Sequence, residues 1–156
     1  MDKTKNVFIS HYSKDEKHIG RLKQILEKKG YHLKNSSIDS SKPNFAKNPE
    51  YVKRLLRMRI HWAGTFICLV GPKTHTREWV DWEIEQAHKK EKDIRGIYLK
   101  GAEESNVPDN FNKYGNSLVT WDTNKIIDSL EGKINNWEKP DGSPRDSYYK
   151  SIHGNC

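Results

Sequence analysis

Short continuous apolar runs alternate along the chain with stretches whose apolar residues recur every three or four positions. Val7-Phe8-Ile9 is the first run and reads as a buried strand. Ser13 and Glu16 then have the spacing of a capping box, in which each side chain satisfies the other's free backbone N–H. Ile19, Leu22, Ile25 and Leu26 form one helical stripe, and Gly30 stops it. Tyr31-His32-Leu33 is a weaker second strand. A polar stretch from Asn35 to Asn48 reads as a long loop. Pro49 opens a helix that buries Val52, Leu55, Leu56 and Ile60. Thr65-Phe66-Ile67-Cys68-Leu69-Val70 is the strongest strand, apolar throughout as a central parallel strand must be. Gly71-Pro72 ends it, and Thr76 can cap a helix that runs to about Lys90. Gly96-Ile97-Tyr98-Leu99 is a fourth strand. A further polar loop leads to a fifth, Ser117–Trp121, and Asp122 caps a last helix carrying Ile126, Ile127, Leu130 and Ile134. The pattern fails from Glu138, where Pro140, Gly142, Pro144 and Gly154 mark a loosely ordered tail.

Strands alternating with helices predict an α/β domain over residues 1–137, with 138–156 as the tail. The expected architecture is a flavodoxin-like three-layer sandwich around a five-stranded parallel sheet of order 2-1-3-4-5. Such sheets bind ligands at the carboxyl ends of the strands, where strands 1 and 3 diverge. That rule singles out residues 10–13, the turn after Val70 and the helix that follows it.

Composition narrows the function. The 156 residues suit one domain, and 33% hydrophobic against 31% charged residues is wet but foldable, because Trp 5, Tyr 7 and Phe 4 supply core bulk. No apolar run approaches the roughly 18–20 residues of a membrane span, and residues 1–6 lack a signal-peptide core. Cys68 and Cys156 have neither metal nor redox spacing, so a reducing cytoplasm is expected. The net charge of +7 admits an anionic partner, but the lysines are dispersed and no nucleic-acid motif is present. A solvated lysine-rich surface is therefore expected rather than nucleic-acid binding. G-x-G-x-x-G, the P-loop motif, G-x-S-x-G and H-E-x-x-H are all absent, and a phospho-receiver's acidic positions hold Ser10-His11 and Gly71-Pro72. No metal site is expected.

The helix Trp79-Val80-Asp81-Trp82-Glu83-Ile84-Glu85-Gln86-Ala87 remains. At about 100° per residue Val80, Ile84 and Ala87 share the buried side, Glu83 sits at its border one turn after Trp79, and Glu85 points to solvent. A carboxylate at that border can line a pocket and stabilise a nearby cation. It can equally be a surface glutamate on an amphipathic helix, and spacing alone favours this plainer alternative.

Val7-Phe8-Ile9-Ser10-His11, the strand Phe66–Val70 and the W-x-x-x-E helix Trp79–Glu83, in that order, resemble a TIR (Toll/interleukin-1 receptor) domain over about residues 5–137. The likeness is to the bacterial group that includes the signal-producing TIR proteins of Thoeris anti-phage systems. The resemblance implies cleavage of NAD between nicotinamide and ribose, with NAD as substrate, no cofactor, and Glu83 as the catalytic carboxylate; it tips the choice at Glu83 towards catalysis. It also implies that Ser10, His11 and Tyr12 line the nucleotide pocket, although turn residues and a strand-end aromatic are equally good descriptions. Ser36 and Ser37 begin the region similar to the family's BB loop, which contacts ligand or a neighbouring TIR domain. Trp79 either stacks on the ligand or fills the helix–sheet interface, and Trp82, facing away from the buried stripe, suggests a contact surface. The implied partners are a second TIR copy and a downstream effector protein that senses the product. The alternative is a non-catalytic TIR adaptor that works by self-association.

Overall fold

A computed structural model of the chain describes residues 5–11, 16–35, 49–72, 74 and 78–145. The strands are β1 (Asn6–Ser10), β2 (His32–Asn35), β3 (Thr65–Val70), β4 (Asp93–Tyr98) and β5 (Ser117–Val119). All pair in parallel in the order β2-β1-β3-β4-β5, the order the sequence predicts. The helices are α1 (Glu16–Glu27), α2 (Pro49–Trp62), α3 (Glu78–Lys89), α4 (Asp109–Tyr114) and α5 (Thr123–Leu130).

Alternation along the strands sorts side chains between two cores. Phe8, Phe66, Cys68 and Val70 pack with Val52, Leu56 and Ile60 of α2, Val80, Ile84 and Ala87 of α3, and Phe111 of α4. Val7, Ile9, Ile67 and Leu69 face the other way, against Ile19, Leu22 and Leu26 of α1 and Ile126, Ile127 and Leu130 of α5. Covered on both sides, β1 and β3 are buried at every position, which is why Val7–Ile9 and Phe66–Val70 are unbroken apolar runs rather than alternating ones. Gly30 supplies the left-handed turn (φ 85°) after α1 that its position in the sequence predicts.

One row of the register matters for the site. Ser10 lies opposite Cys68, Cys68 opposite Gly96, and Gly96 opposite Leu118. At Gly96 a Cβ would come within 2.4 Å of the Phe111 ring and 2.8 Å of Leu118 Cδ1. The missing side chain is what lets α4 lie on β4.

Several boundaries differ from the sequence reading. The expected polar loop before β5 contains α4, anchored by fully buried Phe111. β4 begins at Asp93, β5 ends at Val119, and α5 stops at Leu130, leaving Ile134 packed against the core from an irregular segment. Asp122 does cap α5, its carboxylate accepting the Lys125 N–H at 3.1 Å. The tail expected to loosen at Glu138 is instead bonded as far as Arg145. Leu118 N–H donates to the Asn136 carbonyl (2.8 Å) and Glu138 N–H to the Leu118 carbonyl (2.9 Å), which lays this segment along the outer edge of β5. The Glu138 carboxylate, 4% exposed, accepts the Thr120 N–H (3.0 Å), Asn136 Nδ2 (3.2 Å) and Lys125 Nζ (3.1 Å). The Tyr98 hydroxyl donates to the Glu138 carbonyl, and Arg145 N–H donates to the Trp137 carbonyl (2.7 Å). The edge strand's free backbone groups make these bonds, so apolar periodicity carries no trace of them. The expected Ser13 and Thr76 caps lie outside the described residues.

Candidate active site

Glu83 stands at one edge of the helix's buried side, as the spacing predicts, but it is fully inside the protein. It is 1% exposed, and the buried arc of α3 runs from Glu83 through Val80 and Ala87 to Ile84, about 100° of the helix surface. Ser10, at the carboxyl end of β1 and also fully buried, donates its hydroxyl proton to Glu83 Oε1 at 2.8 Å. Glu83 Oε2 has no hydrogen-bond partner among the described residues. The buried Cys68 thiol lies in the same register row as Ser10 and feels the Glu83 charge.

Burial away from water pushes the Glu83 carboxyl up to about 8, opposed by the Ser10 hydrogen bond and by the positive charge of Arg59 on α2. Burial dominates because one hydroxyl and a more distant guanidinium replace the full hydration of a carboxylate. Near neutrality the free site therefore holds a largely protonated acid that ionises readily when a cation arrives. Burial, with the nearby Glu83 charge, also pushes the Cys68 thiol far up, so it is inert as a nucleophile.

Neighbouring groups fix α3 and the turn after β3. Thr74 Oγ1 accepts the Gly71 N–H (2.7 Å) and donates to the Leu69 carbonyl, while Asn106 Nδ2 donates to the Pro72 carbonyl at 2.7 Å. Asn110 N–H donates to Asp81 Oδ1 (3.2 Å) and Asn110 Nδ2 to the Asp81 carbonyl (2.9 Å), tying α3 to α4.

The other nominated residues divide. His11 directly follows Ser10 and is buried. Trp79 does not fill the helix–sheet interface: it is 43% exposed one turn before Glu83, with its ring edge-on to Trp82. Trp82, expected to face solvent, is half-buried, because α2 lies alongside and places Arg57 and Lys53 over its ring. Glu85 is half-exposed and pairs with Lys89 at 3.6 Å. Tyr12, Ser36 and Ser37 lie outside the described residues. Cys68 and Arg59 were not nominated from sequence. Strand parity could have found Cys68 beneath the site; Arg59 acts across an interhelical packing that no local pattern records. Among the described residues no three His, Cys, Asp or Glu side chains come together to hold a metal, and no helix is long and apolar enough to cross a membrane.

A parallel β2-β1-β3-β4-β5 sheet with a buried carboxylate at the carboxyl end of β1 defines an α/β domain of TIR-like type. Residues 8–104 match the model of the Thoeris protein ThsB, TIR-like domain, and the chain belongs to that family. No curated protein sequence matches it. A CMP N-glycosidase from Clostridium botulinum, BcmB, is similar in structure at TM-score 0.55 and 19% identity, over 83% of this chain and all of that one. A Burkholderia pseudomallei protein described as pilus assembly-related aligns at TM-score 0.54 and 9% identity, over 85% of this chain and 91% of that one. At these identities the likeness is one of fold.

Proposed function

We propose that the protein cleaves NAD between nicotinamide and ribose and converts the ADP-ribosyl group into a signal nucleotide in anti-phage defence. The observation that supports this most is the orphaned Oε2 of Glu83, a buried carboxyl oxygen at the strand ends with no hydrogen-bond partner among the described residues. An unmade hydrogen bond of this kind costs about 1–3 kcal/mol, and a ribose hydroxyl would make it.

In the reaction the C1′–N bond breaks and its electron pair leaves with nicotinamide, which departs neutral. The ribosyl carbon becomes oxocarbenium-like, and the Glu83 carboxylate stabilises that charge while accepting a ribose hydroxyl. The substrate's own pyridinium cation favours the ionised form of Glu83 as it binds, which offsets the burial that raises it. With Glu83 1% exposed, the groups that cover it must move for a ribose hydroxyl to reach Oε2. Water, a nucleophile of the same molecule or a separate acceptor then takes the anomeric carbon, giving hydrolysis, cyclisation or transfer. His11, Tyr12, Ser36 and Trp79 are the proposed NAD contacts, with Trp79 offering an exposed indole to a base. The protein would work in the cytoplasm, self-associated, with an effector protein sensing its product and no cofactor of its own.

The test is incubation with NAD beside Glu83→Ala, with products separated by chromatography and mass. Nicotinamide release by the parent and none by the folded variant is expected. Undiminished release by the variant removes Glu83 from the reaction.

A further inference from the structure

We propose that Ser10 is a positioning residue for the Glu83 carboxylate, holding one oxygen so that the other is presented to a sugar hydroxyl, and is not itself a nucleotide contact. This rests on the reading of Glu83 given above. A serine hydroxyl has one proton to donate, and that of Ser10 is committed to Oε1 at 2.8 Å. The serine is held by the sheet: it ends β1, pairs in register with Cys68 and has no exposed surface. Its side chain is one carbon long, so the strand's position sets the hydroxyl's position and, through it, the rotation of the carboxylate. Oε2 is left as the oxygen with capacity to accept. The result is an asymmetric carboxylate, one oxygen anchored by the sheet and one free. Among the described residues, the Arg59 guanidinium of α2 favours the charged form of Glu83, and the Cys68 thiol of β3 lies in the same register row as Ser10.

The experiment compares the parent with Ser10→Ala by two readouts. The first follows the Glu83 carboxyl by carbon NMR across pH in selectively labelled protein, with Glu83→Gln used to assign the resonance. The second measures nicotinamide release from NAD as kcat and KM across pH. Losing a hydrogen bond to the charged form should move the Glu83 titration up by about one pH unit. The acid limb of kcat/KM should move with it, and kcat at neutral pH should fall about tenfold while KM changes less than about twofold. Ser10→Cys keeps a side chain of similar size with a much weaker donor, and gives the same comparison should the alanine variant fold poorly. An unmoved Glu83 titration overturns the proposal. So does a loss carried by KM with kcat intact, the signature of a substrate contact. If even the parent releases no nicotinamide, the NAD reading falls, while the NMR titration still decides whether Ser10 holds Glu83.

Discussion

Replacing Glu83 with glutamine preserves its shape and leaves Ser10 an acceptor, but removes the proton equilibrium. In the folded protein burial raises this carboxyl to about 8 from an ordinary 4.5. Between those values the native state keeps a proton that the unfolded chain has released. Stability from this group is therefore complete below about pH 4.5, declines as pH rises, and stops declining above about 8. The slope approaches 1.4 kcal/mol per pH unit, so between pH 5.5 and 7.5 the parent should lose about 2–3 kcal/mol relative to the glutamine variant. For a chain of this length that is a relative shift of roughly 5–10 °C in Tm. The partly buried tryptophans Trp62, Trp82, Trp121 and Trp137 give a fluorescence signal for urea and thermal unfolding of both proteins across this range. The expected result is that the inactive variant becomes the more stable protein as pH rises. Parallel pH profiles, or a parent that gains on the variant towards alkaline pH, would refute the claim that Glu83 is desolvated.

Gly96→Ala places a methyl carbon 2.4 Å from the Phe111 ring, and overpacking there should cost about 1–3 kcal/mol or detach α4, read as a lowered urea midpoint. Glu138→Gln should weaken the charge-assisted bonds that hold the segment after α5 to β5, raising amide exchange at Leu118 and Glu138 at neutral pH. These bonds hold the Glu138 carboxyl below its ordinary value, so its stabilisation is present above that value and fades as pH falls through the depressed one; the gap between parent and variant should close in acid.

The sheet and its order were legible because each strand is a short apolar run bounded by turn residues, and because a strand–helix alternation admits few topologies. The helix α4 was not. In Asp109-Asn110-Phe111-Asn112-Lys113-Tyr114 only Phe111 is buried, so no periodicity exists to be seen; what secures the helix is a space above Gly96 created by another element. The segment 136–138 was invisible for a different reason. It binds β5 through backbone groups, which every residue possesses. At the site, the sequence placed Glu83 at the correct angle on α3 but not at the correct depth. Helix geometry gives the angle; depth depends on α2 packing alongside and on Ser10 beneath, at a sequence separation of 73 residues. Trp82 shows the same failure, since its solvent-side position is covered by Lys53 and Arg57.

Depth also bears on how the site is to be understood. A glutamate at a water-filled rim would be hydrated on both oxygens and would say little about a ligand. Glu83 is instead buried with Val80, Ile84 and Ala87 on the inner side of its helix, over Ser10 and the register row that holds Cys68. A leucine or methionine at position 83 would suit that environment and avoid the cost of desolvating a carboxyl, and an asparagine or serine nearby could have satisfied the second oxygen. The fold does neither. It spends a serine on one oxygen and leaves the other open, at the strand end where parallel sheets bind ligands. A local choice that works against stability in an otherwise consistent core is where function is expected to lie. The titration of Glu83 tests the desolvation on which this reasoning rests, and nicotinamide release by the parent against Glu83→Ala tests the catalytic role.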